Sequence, residues 1–282
     1  MYKFNNVKYL FIVVVLSSAL TMFAQEQIDI QYSYADSLFE KQQLFDAITE
    51  FKRLLFFDKE GKYLFDANSK IGLAYKGGAK YDNAIFYFKR AEQYSKTKHE
   101  KYQTAIQIIR INILRGTTER ALQLLNRLER AYKSPNEIKE INYWRGWAYM
   151  FADKWEKADS SFTRINPNHP LKKICEEVID SKYSVTFAKL ISYILPGVGQ
   201  FYTGHFVSGL MSLSWNILWG YLTVNAFMND RVFDGMAIGN LLWFRFYRGN
   251  YQNAEKFAVQ KNISIANKAL RKVQLEYKGV KP

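Results

Sequence analysis

With 282 residues, the chain can hold one large domain or two small ones, and 48% hydrophobic residues supply a core. The single cysteine, Cys175, excludes an intrachain disulfide, and no CxxC or Cys/His spacing marks a metal site. The formal net charge of +14 would suggest nucleic acid in a cytosolic protein. In an exported one it points instead to anionic lipid or an acidic partner, with no role for nucleic acid.

Residues 1–24 read as a secretory signal peptide. Lys3 and Lys8 precede a short apolar run from Tyr9 to Leu20, and the segment ends in Ala24 before Gln25. No cysteine follows, so the leader is not of the lipoprotein kind. An uncleaved anchor is the alternative.

From Gln27 the pattern becomes helical and repeats. Ala47, Ala84, Ala121 and Ala158 are spaced 37 residues apart, each inside a similar phrase such as Phe45-Asp46-Ala47-Ile48 or Tyr81-Asp82-Asn83-Ala84. Twelve residues before them lie Ala35, Gly72, Ile109 and Gly146; four residues after lie Phe51, Phe88, Leu125 and Phe162. Small residues at fixed places let two antiparallel helices approach, and large ones fill the space between hairpins. The pattern resembles the tetratricopeptide repeat and implies four such repeats over residues 27–170, stacked into a short superhelix. The third unit departs, with Ile109 and Asn112 where a small residue and a tyrosine are usual, so its helices are expected to splay or pack differently.

In that family the first helix of each unit lines the concave face. The resemblance therefore implies a groove for a protein or peptide partner formed by Tyr143, Trp147, Met150 and Phe151, with Ile106 and Arg110 from the preceding unit. An alternative is that the segment from Leu171 to Tyr183 covers this patch. Residues 171–184 read as an amphipathic capping or linker helix.

Residues 185–250 read as a membrane module of two to three hydrophobic helices. His205 to Met228 carries no acidic or basic residue apart from the histidine, and its length suits a bilayer core, which takes about 20 residues. The preceding turn contains Pro196, Gly197, Gly199, Gln200, Tyr202 and Gly204. Proline ends a helix, glycines permit tight turning, and a glutamine amide can satisfy backbone groups that the turn leaves open. This Pro-Gly-x-Gly-Gln-x-Tyr-x-Gly phrase resembles short bacterial membrane modules built as helical hairpins. The segment from Phe246 to Ala254 resembles the closing part of versions fused to repeat domains in envelope proteins. Residues 251–282 read as a basic amphipathic tail able to lie on anionic lipid.

No Walker loop, GxSxG, HExxH or dinucleotide fingerprint is present, and His99, His169 and His205 lie far apart in the chain. No cofactor, metal or catalytic group is expected. Together these features describe an all-α protein, a repeat solenoid followed by a transmembrane helical hairpin. The function they suggest is a non-enzymatic, membrane-anchored scaffold that binds a protein partner in the bacterial cell envelope. The expected site is the inner membrane with the repeats in the periplasm, the outer membrane being the other option. A small membrane transport or membrane-protein-insertion component with accessory repeats is the alternative function.

Overall fold

The computed structural model describes residues 26–282; the expected signal peptide at 1–24 lies outside them. The described residues contain helices and turns and no strand. The chain divides into two compact units, the first ending at Ala152 and the second beginning at Asp153. The division falls inside the fourth expected repeat, between its two helices, rather than after residue 170.

In the first unit, helix α1 (residues 26–40) is followed by α2 (Leu44–Phe57), α3 (Leu64–Gly77), α4 (Tyr81–Tyr94), α5 (Lys98–Leu114), α6 (Thr118–Ala131) and α7 (Pro135–Phe151). From α2 to α7 each helix packs against the next, giving consecutive helical hairpins compatible with a tetratricopeptide-like solenoid. The small residues sit where the period requires. Ala35, Ala47, Ala84 and Ala121 are fully buried, as are Phe51 and Leu125, with Phe88 nearly so. A Cβ placed on Gly72 would come within 2.9 Å of the Phe88 ring. The two periodic positions thus touch across α3 and α4.

The 37-residue period is also written in the turns and caps. Gln42, Ala79, Gly116 and Asp153 all adopt positive φ, between 54° and 80°. In the first two turns the closing hydrogen bonds run from Gln43 N–H to Leu38 O (3.0 Å) and from Lys80 N–H to Tyr75 O (2.8 Å), the pattern of a helix ended by a left-handed residue. At the opposite ends, Thr97 with Glu100 and Ser134 with Glu137 form capping boxes on α5 and α7. The Asp58 carboxylate accepts from the N–H groups of Lys62 and Tyr63 before α3.

The second unit contains α8 (Trp155–Thr163), α9 (Pro170–Ser181), α10 (Val185–Ile194), the short α11 (Val198–Tyr202), α12 (Phe206–Met228), α13 (Val232–Ile238), a π-helical turn (Gly239–Trp243) and α14 (Phe244–Glu276). Helix α8 pairs with α9, and α14 runs back along α12, α11, α10 and α9. Leu171, Cys175 and Val178 form the buried stripe of α9. The expected boundary at residue 250 falls inside α14, and the basic tail continues that helix to Glu276.

No helix among the described residues is long and apolar enough to cross a membrane, so the expectation of transmembrane spans gains no support. Helix α12 has the length, about 34 Å at 1.5 Å per residue. Its apolar character is diluted by Asn216, Thr223, Asn225 and three serines, and the helix returning beside it is broken by the π turn.

Candidate functional site

The expected groove of the first unit is largely closed. Ile106, Trp147 and Met150 are 1%, 3% and 1% exposed, Tyr143 and Arg110 are half-buried, and Phe151 alone is exposed. The reason is in the C-terminal parts of α5 and α7, where the buried apolar residues are spread around the helix rather than along one stripe. Tyr102, Ile108, Ile109, Ile111 and Ile113 are buried beside Ile106, and Ile141, Trp144 and Ala148 beside Trp147. A helix that is apolar all round is enclosed rather than presented. The rings pack on each other, Tyr143 edge-on to Trp144 at 5.0 Å and Trp147 against Phe151 at 6.2 Å. The Arg110 guanidinium lies over the Trp144 ring at 4.8 Å.

Two basic groups are held inside this array. Arg145, only 6% exposed, joins α7 to α6 through Glu129 (2.8 Å) and Asn126 (3.2 Å) and also bonds Asn142 (3.0 Å). Burial and the nearby Arg110 cation pull the Lys76 ammonium down to about 8. The open surface lies elsewhere, in a cleft of about 570 Å³ beside α4, α5 and α6. Ile85, Ile108 and Leu124 form its apolar lining, and its charged groups are the cations Lys89, Arg115, Arg120 and Arg127 against one acid, Glu92. It flanks the third hairpin, where Ile109 and Asn112 replace the small residue and the tyrosine of the repeat pattern. Asn112 is buried there, its amide donating to Ile108 O at 2.7 Å and its Oδ1 accepting from Thr117 at 2.8 Å.

In the second unit the turn motif closes around one side chain from far along the chain. Asn250 Oδ1 accepts from Gly197 N–H (2.9 Å), Ser212 Oγ–H (2.9 Å) and Gln200 Nε2 (3.2 Å), while Asn250 Nδ2 donates to Ser192 O (2.6 Å). Gln200 also donates to Asn250 O at 3.0 Å, and Ser192 Oγ accepts from Gly199 N–H at 3.0 Å. These bonds tie α10, α11, α12 and α14 together. Gly197 sits at φ +94°, and a Cβ there would strike the Gly209 carbonyl. A Cβ on Gly199 would strike the Ala188 carbonyl and Ser192 Oγ. Tyr202 lies edge-on to Tyr183 and Phe187, its hydroxyl accepting from Ser184 N–H. Gly204 is left-handed at φ +77° with open space beside it, and Pro196 is half-buried at the end of α10.

Asn250 lies in the segment from Phe246 to Ala254, and nothing local in the sequence announces its partnership with the turn. The available signal was small polar residues, Ser192, Ser212 and Asn250, set within apolar stretches.

The remaining single residues are accounted for by packing. His205 stacks on Phe257 at 3.9 Å and lies 3.2 Å from Thr203 Oγ1. His169 caps α9 by accepting from Leu171 N–H and stacks on Phe162, and burial lowers its pKa. Cys175 is fully buried, which pushes its thiol up to about 12, assisted by Asp159 and Glu176. Among the described residues, no cluster of three or more His, Cys, Asp or Glu side chains could hold a metal ion.

The outer surface of the second unit is unusually apolar. Ile194 is 85% exposed, Val207 78%, Met228 79% and Phe233 90%, and Leu210, Ile217, Leu241 and Phe244 are also exposed. The tail, by contrast, docks by small residues. Ala254, Ala258, Ala266 and Ala269 are buried, Glu255 pairs with Lys189 at 2.8 Å, and Lys272 pairs with Glu177 at 2.9 Å. Asn262 brackets the Tyr183 backbone, donating to its oxygen and accepting from its N–H.

The geometry thus defines an all-α protein of helical hairpins with an aromatic-rich apolar face. No known protein family matches the chain, and no curated protein matches it.

Proposed function

We propose that this protein is a membrane-attached tetratricopeptide-type scaffold of the bacterial cell envelope. It holds a partner protein and performs no chemistry of its own. The observation that carries the reading is the apolar surface of α10, α12 and α13. Soluble monomers rarely expose contiguous apolar patches larger than a few hundred Å², and side chains as open as Phe233, Ile194 and Val207 are satisfied by lipid. The polar knot around Asn250 fits that setting, because a backbone turn in lipid must be satisfied internally. Attachment here means that this face is embedded in the bilayer. Crossing is not required of any single helix.

The partner site moves from the enclosed rings of α5 and α7 to the cleft beside α4, α5 and α6. Its apolar lining and the cations Lys89, Arg120 and Arg127 fit an acidic amphipathic segment. The periplasm, at the inner membrane, is the proposed location of the repeats.

The test has two arms. Full-length protein should float with phosphatidylcholine vesicles, and Val207→Asp with Phe233→Asp should abolish flotation while leaving the helical circular dichroism intact. In cells, a photo-crosslinker at Leu124 should capture a discrete protein that Arg120→Glu with Arg127→Glu loses. Wild-type protein that stays with the aqueous fraction would refute the attachment. A crosslinked partner retained at full yield by the charge-reversed variant would refute the cleft.

A further inference from the structure

We infer that the second unit carries a binding site for the phosphate of an anionic phospholipid, built from Arg245 and Arg248 on α14 and a tyrosine wall shared with α10. The inference rests on the membrane attachment proposed above and names the headgroup that the attached unit takes.

The site is a cleft of about 800 Å³ lined by Tyr193, Arg245, Tyr247, Arg248, Tyr251 and Gln252, among others. Its wall is fixed in place. Tyr193 and Tyr251 stack at 4.3 Å, and the Tyr247 hydroxyl donates to Tyr193 O at 2.7 Å. Arg245 and Arg248 are three residues apart and so are neighbours on one helix face. Both are exposed, and neither makes an ion pair or side-chain hydrogen bond among the described residues. The nearest acid along α14, Glu255, is engaged by Lys189 at 2.8 Å. Beside the arginines, a Cβ added at Gly249 would meet nothing within 4 Å, so the helix backbone is open to an approaching group.

Two unpaired cations on adjacent positions repel each other, and a dianionic or monoanionic phosphate resolves that repulsion. Guanidinium matches phosphate geometry with paired donors, and the Gln252 amide can complete the set, while the tyrosines, already hydrogen-bonded, form the rigid wall. The surroundings select a lipid over a free ion. Ile194 and Leu195 at the end of α10 and Leu241 and Phe244 one turn before the arginines are 85%, 51%, 68% and 59% exposed. The cations therefore sit at the edge of the apolar face, where acyl chains would lie. Tyrosines gather at the same level, as they do where a bilayer meets water.

The test uses the full chain with vesicles of phosphatidylcholine alone or with phosphatidylglycerol added. Wild-type protein should prefer the anionic vesicles. Arg245→Gln with Arg248→Gln should lose about thirtyfold in partitioning onto them, the weight of two surface cations, while keeping its binding to phosphatidylcholine. Lys268→Gln with Arg271→Gln, on the exposed side of the tail, should lose less. An Arg245/Arg248 variant as well bound to anionic vesicles as wild type would overturn the site while leaving attachment standing. Wild-type protein that binds neither vesicle would overturn both. Inorganic phosphate, followed by ³¹P line broadening with the protein in a neutral detergent, should not reproduce the arginine-dependent binding. If it does, the site is for free phosphate and the lipid assignment is wrong.

Discussion

Replacing Asn250 with alanine should destabilise the second unit by about 4 kcal/mol. The side chain takes part in four hydrogen bonds, but their losses are unequal. Gln200 keeps its bond to the Asn250 backbone carbonyl at 3.0 Å, and the Ser212 hydroxyl can turn to the carbonyl one helical turn back, as serines in helices do. The Gly197 N–H and the Ser192 carbonyl, held at 2.9 and 2.6 Å, have no such recourse. Asn250 itself is 2% exposed, so water does not replace it without opening the unit. Two orphaned buried backbone groups at about 1–3 kcal/mol each give the range of about 2–6 kcal/mol. The assay is denaturant unfolding of the full chain in detergent, read by hydrogen exchange of peptides from α10 to α14, because three of the six tryptophans lie outside those helices and would mix other signals into the emission. Asn262→Ala, whose bracket on Tyr183 is only partly buried, should cost less. An Asn250→Ala variant within 1 kcal/mol of wild type would show that the turn is held by packing alone and refute the reasoning.

Two further predictions concern the first unit. Ala79 is held at φ 54°, a conformation that costs a residue with a Cβ about 1–2 kcal/mol, so Ala79→Gly should stabilise by about 1 kcal/mol after the entropy of glycine is subtracted; thermal unfolding at one fixed pH checks it. Lys76 carries a folded-state pKa near 8, below its unfolded value. Below pH 8 both states are protonated and the buried charge destabilises the fold. Between about pH 8 and 10.5 the folded state binds fewer protons, so this contribution to stability rises with pH. Lys76→Met should therefore stabilise by about 1–3 kcal/mol at pH 7, with the gap to wild type closing by pH 10.5. A gap that does not change with pH would refute the burial argument.

What the sequence revealed and what it hid follow from the range of the interactions. The alanine period was legible because helix spacing is local, and the same period proves to govern turns that no residue type announces. Gln42, Ala79 and Asp153 occupy left-handed positions where Gly116 alone has the expected glycine. Capping boxes at Thr97 and Ser134 were readable in principle from the Ser/Thr-x-x-Glu spacing. Burial was not. Trp147 and Met150 look like a presented aromatic patch in one dimension, and only the packing of neighbouring rings shows them enclosed. The expectation of spans rests on the absence of charge from α12, whereas Asn216, Asn225 and the serines dilute its apolar character, and no described helix is long and apolar enough to cross a membrane. The turn at Pro196 is legible from its proline and glycines, but the residue that closes it lies 50 positions beyond Gln200, outside any local window.

That separation bears on how the second unit comes into being. The bonds that secure the turn, the Tyr183 bracket and the Glu177 ion pair join residues 50, 79 and 95 positions apart. Pairings so distant in sequence are slow to form, because the chain between them must first be ordered. During synthesis α10, α11 and α12 emerge before the side chain that pairs with the Gly197 N–H and the Ser192 carbonyl, and those two groups gain their partner only when α14 is made. A chain stopped before residue 250 would leave an apolar hairpin with an open turn, a species suited to capture by a chaperone or by other copies of itself. The final helix is therefore the step that commits this unit to its fold, and premature termination near the C-terminus should be more damaging than its distance from the repeats suggests.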